Sequence, residues 1–478
     1  MATSDSPLSV PNVTLAVARA ASGGGGNPGA PDMSGLSLVS EPGFTVTGTL
    51  ADLGEITISG QDFGTKPPVR HFDRIDRYWD NGTEVVDPYA TRTEGDSVPN
   101  QSQVADSPFP ASGTNTDFNT WLLRQEAARR GRDFGYQLDA DATGGMSGTT
   151  NAGFAGWPAT QRDAHEVYIR YWRWMEYFGT DADINGRPVL VNSLAAGATS
   201  ATIDDGISEL NSGNNNRFGL EELYIELDDG TMFPVLQQLP RISTTEFNFT
   251  PALPQPAAAG NAVHLFDNDT MKCIRLRDDP PPGMPNMGYN KFQITGFQGS
   301  ISNLKWPTLD GYNERRWTPG KWELHEYYIR IAEFEADWPD LAIARTRIDG
   351  ELIMDRAGAE LAADSSYPST RAGVAWPSSG LGITNFGFEE DRTHAIPGNF
   401  YRLSDLYFDS SRQRIEIGIG NDDLYQCSNR EPCPIKTWNG DITFNLNALP
   451  FDEAEMAQAR IFVVGSDDTA TLVGRIQQ

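Results

Sequence analysis

Cysteine is scarce. Three residues, Cys273, Cys427 and Cys433, cannot form the framework of a disulfide-stapled chain of 478 residues. Cys427 and Cys433 lie six apart in a Pro-flanked loop, and the spacing suits a local disulfide in an oxidising compartment. A metal site on this pair is the weaker reading, because no further Cys or His lies close in sequence. Histidine is equally short, at five residues. A zinc protease helix needs a second His four residues after a His-Glu pair, and after His165-Glu166 and His325-Glu326 those positions hold Ile169 and Ile329. Positive charge is deficient too: 37 Lys and Arg face 65 Asp and Glu, a net of -28 with an isoelectric point near 4.5. Such a field repels a phosphate backbone, so nucleic acid is excluded as an expected partner. No run approaches the roughly 18 apolar residues of a spanning helix, so membrane insertion is not expected. The opening Met1–Pro7 lacks a basic region, and the apolar stretch Val13–Ala21 is broken by Arg19, so we read no signal peptide.

What the chain does have is 47 Gly, 31 Pro and 10% aromatics, the balance of a loop-rich protein built from strands. Its length suggests two to four units at roughly 150 residues each. Residues 1–42 are small, polar and Gly-rich, and read as a flexible arm. Period-two alternation bounded by Gly and Pro begins at Gly43 and predicts strands. A capping Asp117, an apolar face of Phe118, Trp121 and Leu122, and a terminating Gly131 predict one helix. The aromatic run from Ala164 to Tyr177 reads as a central strand continued by Met271–Arg277. The intervening 187–266, with short strands and Asp-Gly turns, reads as an inserted β-module. Asp349-Gly350 is placed to turn a hairpin. The expected divisions are therefore an arm over 1–42, a first part over 43–186, the insert over 187–266, and a second part with a C-terminal β-extension over 267–478.

Several motifs carry resemblances. The run from Ile56 to Lys66, Ile-Thr-Ile-Ser-Gly-x-x-Phe-Gly-Thr-Lys, resembles the opening hairpin of many environmental bacterial and phage surface proteins. Segments such as Leu223-Tyr-Ile-Glu-Leu-Asp-Asp-Gly-Thr resemble the compact β-modules of phage tail, fibre and decoration proteins. Gly320-Lys-Trp-x-x-x-Glu-x-Tyr, followed by a strand, Asp349-Gly350 and a second strand, resembles the concanavalin-like jelly-roll of legume-type lectins, laminin-G-like modules and polysaccharide lyases. The implied fold is mainly β: a concanavalin-like jelly-roll sandwich with a small inserted β-domain and a flexible Gly-rich arm.

Catalytic chemistry is thinly represented. The lyase resemblance implies a Gln-Ile/Val-His triplet, and this chain has Gln293-Ile294-Thr295, without the imidazole. Glu323 and Glu326 are three apart and fall on opposite faces of a strand, so they do not pair as glycosidase carboxylates. Asp181, Asp183 and Asn185, with Gly186, match half of a calcium loop, although the twelfth position is Asn192; Asp139–Gly144 is a weaker copy. Structural calcium and simple Asp-rich turns both stand as readings, and no other cofactor is expected. Tyr289, Lys291, Gln293, Trp306, Tyr312, Arg315 and Trp317 form an aromatic and polar set suited to sugar or to a protein partner. The resulting expectation is a non-catalytic structural component of a phage particle: a tail-fibre, tail-associated or capsid-decorating homo-oligomer. It would meet other virion proteins and host-surface glycan. A polysaccharide lyase or glycanase is the alternative, and a bacterial surface adhesin the third.

Overall fold

The computed structural model describes residues 30–69, 71–85, 93–96, 122–139, 166–175, 189–204, 221–230, 232–238, 242–243, 245–266, 272–276, 292–295, 300–302, 321–330, 343–357, 381–382 and 400–478. The Gly-rich arm, apart from 30–42, and the calcium-loop candidate lie outside them. Among the described residues strands dominate, in five antiparallel sheets, and the fold is mainly β as expected.

Two small sheets face one another near the chain ends. One runs Ser37–Ser40, Ala470–Gln477, Ala459–Val464, Arg414–Ile419, Arg430–Cys433; the other runs Thr45–Gly48, Glu55–Ser59, Asp441–Asn445, Ile435–Asn439. Alternation dictates the core between them. Ile56 and Ile58 on one strand meet Ile442 and Phe444 on its neighbour, while Ile415, Ile417, Ile461 and Val463 point in from the opposite sheet. The opening hairpin is thus completed by C-terminal strands, as the 3.3 Å contact of Thr57 and Thr443 hydroxyls illustrates.

A long sheet with ten strands among the described residues occupies the middle of the chain. Its main path is Glu351–Ala357, Ile343–Ile348, Trp322–Arg330, Glu166–Met175, Phe400–Asp409, His71–Asp73, Tyr78–Asp80, Thr83–Val85. Gly135–Asp139 adds beside Phe400–Asp409 and carries Leu122–Arg124. Glu166–Met175 is central, as its aromatic sequence requires, and Asp349-Gly350 turns the expected hairpin with both residues at positive φ.

Two expectations are corrected here. The helix after Asp117 is, where described, a strand at Leu122–Arg124 and a 3-10 turn at Gln125–Ala127, because Leu122 and Leu123 pair with Gln137 and Tyr136. Lys272–Leu276 does not continue the central strand; it pairs with Phe292–Thr295 in a separate four-stranded sheet.

Within the sequence that reads as an insert, Ser200–Thr202, Glu246–Thr250, Met232–Gln238, Glu221–Glu226 and Val263–Phe266 form a five-stranded sheet. It has its own core of Leu190, Ile203, Ile225, Val235, Phe247, Phe249 and Val263. Val189 bridges Ala262, so its ends are adjacent. Among the described residues, no helix is long and apolar enough to cross a membrane.

Candidate functional site

The two faces of the long sheet carry different chemistry, and strand register assigns each residue to one of them. On Trp322–Arg330, even positions Leu324, Glu326 and Tyr328 lie opposite Trp172, Arg170 and Tyr168; odd positions Glu323, His325 and Tyr327 lie opposite Arg173, Tyr171 and Ile169. Glu323 and Glu326 therefore do occupy opposite faces.

The even face lies against the terminal sandwich and joins an ionic centre to an aromatic patch of Phe72, Trp79, Tyr168, Tyr328 and Tyr407, on which Leu53 packs. Arg170 donates to Glu416 at 2.6 Å, Arg414 to Glu416 at 2.5 Å and to Glu326 at 3.3 Å, and Arg430 donates to both carboxylates. Tyr168 donates to Glu326 at 2.6 Å, and Trp172 to Glu431 at 2.9 Å. A bulge between Ser404 and Tyr407, with Asp405 at φ 54°, turns Asp405 toward Arg129 (3.1 Å) and Arg132 (3.0 Å). These charges are buried, and desolvation alone would neutralise them. Burial pushes the Asp405 and Glu326 carboxyls up, but Arg132 and Arg129 outweigh it at Asp405, and Arg430, Arg414 and Arg170 at Glu326, holding each at about 2. Glu416 is likewise lowered, with burial opposed by Arg170, Arg414 and Arg430.

The odd face carries groups able to move protons. His325 and Tyr171 stack with centroids 5.7 Å apart and planes 4° from parallel, and Tyr171 and Tyr327 lie 5.8 Å apart. His325 Nδ1 is 3.1 Å from the Tyr327 hydroxyl, and Nε2 is 3.9 Å from Glu323. Arg173 sits opposite Glu323 across the strand pair. The next row continues through Phe408 to His71, whose Nδ1 lies 2.8 Å from the Tyr78 hydroxyl and 3.3 Å from Asp80. A His or Tyr that exchanges protons beside an Arg that neutralises a carboxylate is the set that β-elimination of a uronate requires. Here all of these side chains except Asp80 are buried: His325 and Tyr171 are 0% exposed, and Tyr327 2%.

The sequence motifs touch this cluster only at His325 and Glu323, where they fail, and do not reach Tyr171, Tyr327 or Arg173; its signal is present as aromatic and charged residues at alternate positions of Glu166–Met175 and Trp322–Arg330. Of the expected sugar-binding set, Gln293 lies on Phe292–Thr295, opposite Arg275 and Ser302. Tyr289, Lys291, Trp306, Tyr312, Arg315 and Trp317 lie outside the described residues, as do Asp181, Asp183 and Asn185. Among the described residues, no group of three or more His, Cys, Asp or Glu is placed to hold a metal ion. The Cys427–Cys433 disulfide is corrected: both thiols are free. Cys433 packs in the sandwich core, while Cys427 lies by Gly418 and donates to the Asn421 carbonyl at 3.3 Å.

No protein-family model matches the chain, and no curated protein sequence matches it. Among solved structures, the chain is similar to a mutant alginate lyase in complex with an alginate tetrasaccharide, at 11% identity and a TM-score of 0.23, covering 66% of this chain and 93% of that one. It is also similar to a marine alginate lyase from Aplysia kurodai, at 9% identity and a TM-score of 0.23, covering 60% and 85%. The binding domain of botulinum neurotoxin DC, solved with rat synaptotagmin II, matches at 10% identity and a TM-score of 0.15, covering 53% and 34%. With global likeness that low, the functional reading rests on this chain's own residues.

Proposed function

We propose that this chain is a non-catalytic structural subunit of a phage particle, a tail-fibre, tail-associated or capsid-decorating protein, that presents a β-built surface to host carbohydrate. The observation that supports this reading is the self-contained sheet over residues 190–266, with its own apolar core and its ends held side by side at Val189 and Ala262. A module built that way can be displayed from a scaffold without altering the scaffold's core. The acidic charge of -28 keeps many copies dispersed before assembly. Light scattering with negative-stain imaging tests the reading: a symmetric homo-oligomer retained by a glycan surface is expected. A compact monomer that no glycan retains would refute it.

The His325, Tyr171, Tyr327, Arg173 and Glu323 group has the residue types of a second reading, β-elimination on a uronate polymer, although all five side chains are buried. Under the first reading, incubation with alginate or polygalacturonate yields no unsaturated product. Product that forms with the full chain and disappears in both His325→Ala and Tyr171→Phe would establish the second.

A further inference from the structure

Among the described residues, the chain crosses between the terminal sandwich and the long sheet at one place. Every described strand of the two small sheets lies within 37–59 or 414–477, and every described strand of the long sheet lies between His71 and Asp409. The outgoing and returning segments touch. Lys66 Nζ lies 2.6 Å from Asp409 Oδ2, both side chains buried, while the Lys66 amide still bonds the Trp438 carbonyl of the sandwich at 3.1 Å. Asp409 closes the other half of this neck by accepting from Tyr407 (3.2 Å) and from the Ser410 amide (2.8 Å).

Among the described residues, the sandwich core takes no member from the middle of the chain. All its buried members, from Met33 to Ile58 and from Ile415 to Ile476, and the partly buried Leu36, Leu38, Phe44, Leu50 and Phe63 come from 30–66 or 411–478. Much of what joins the sandwich to the long sheet is charge. Arg170 reaches Glu416, Arg414 and Arg430 reach Glu326, Arg129 reaches Glu431, Arg74 reaches Asp52 at 2.9 Å, and Arg345 and Arg347 each reach Asp468 at 3.2 Å. An interface of this composition resembles contacts between separately folded units: apart from the aromatic patch of Phe72, Trp79 and Tyr407 under Leu53, the parted surfaces are charged and hydrated, whereas a split apolar core would aggregate.

We propose that residues 30–66 and 411–478 form one base that folds on its own contacts, that 67–410 is a body inserted through the Lys66–Asp409 neck, and that the ion-pair layer is a latch that releases the body before the base unfolds. The inference does not depend on whether the body binds sugar. Native-state hydrogen exchange of the full chain in rising urea, read by mass spectrometry, tests it. Amides of Glu55–Ser59, Asp441–Asn445 and Ala459–Val464 should stay protected at urea concentrations where those of Glu166–Met175 and Trp322–Arg330 exchange. Arg170→Met, which leaves Glu416 still paired with Arg414 and Arg430, should speed exchange in the body strands by roughly a hundredfold and leave the base strands unchanged. Base and body strands opening together in the unmodified protein, with one urea dependence, would overturn the proposal, as would a variant that accelerates both alike. The unmodified protein alone decides the matter if the variant does not fold.

Discussion

Glu326→Gln isolates the charge of the ion-pair layer from its packing. Gln keeps the volume and an oxygen for the Tyr168 hydroxyl, but removes the charge facing Arg414 and Arg430. Burial raises the Glu326 pKa, yet Arg430, Arg414 and Arg170 bring it from 4.5 down to about 2. A carboxylate lowered on folding adds stability that is fully present above its unfolded pKa and is lost as pH falls through the folded one. The window here runs from about 4.5 to about 2, and at roughly 1.4 kcal/mol per unit the increment is about 3 kcal/mol. Breaking one partner of a buried pair costs about 3–5 kcal/mol in general, which agrees. Urea unfolding followed by tryptophan fluorescence, with Trp172 in the layer as a reporter, should show the variant about 3 kcal/mol less stable at pH 7. The two stability curves should converge as the pH is lowered toward the folded pKa. Equal stability at pH 7, or curves that run parallel into acid, would refute the reasoning.

Gly350 has φ +85°, and a Cβ there would lie 2.1 Å from the Tyr425 carbonyl oxygen, so Gly350→Ala should cost at least about 1–3 kcal/mol in urea unfolding. Phe444, fully buried between the small sheets, should cost about 3–5 kcal/mol when changed to Ala, with the loss seen in hydrogen exchange of the base strands. Burial pushes the Cys427 thiol up to about 11 and the Cys433 thiol up to about 12, so both should resist alkylation in the native protein at neutral pH. Alkylation of the unfolded, unreduced chain should label both; a pair protected until reductant is added would show a disulfide after all.

Each strand's own two faces are legible in the sequence, but its partners are not. Arg414-Ile-Glu-Ile-Gly-Ile reads at once as a strand with an isoleucine face, and the structure puts Ile415, Ile417 and Ile419 in the core. By the same alternation Arg414 and Glu416 belong on a wet face, yet both are fully buried. Their complements, Arg170 and Glu326, lie 246 and 88 residues away in sequence, and period-two reasoning carries no information over such separations. The helix expected after Asp117 fails for a related reason: the spacing of Trp121 and Leu122 fits a helix, but cross-strand pairing with Tyr136 and Gln137 decides the local structure. His325-Glu326 and Glu166 lie on strands, so a zinc-binding helix has no place at either. Weighing His325 against that one motif conceals its membership of the odd-face cluster, because Tyr327 and Glu323 are its neighbours in sequence but Tyr171, on which it stacks, is supplied by the aromatic strand beside it.

The order in which the chain is made gives the ionic layer a further physical role. The first described strand, Ser37–Ser40, pairs with the last, Ala470–Gln477, so the sandwich cannot close until its C-terminal strands exist. The long sheet has all its described strands by Asp409, before Arg414–Ile419 is available to cover its even face. An apolar even face would stand open during that interval and invite association with neighbouring chains. The part built on Arg170, Glu326 and Tyr168 stays hydrated until Arg414, Glu416 and Arg430 arrive, which limits the apolar area left open to the patch around Phe72, Trp79 and Tyr407. Buried charge is a poor means of gaining stability, but it suits a surface that must remain soluble while it waits for its partner.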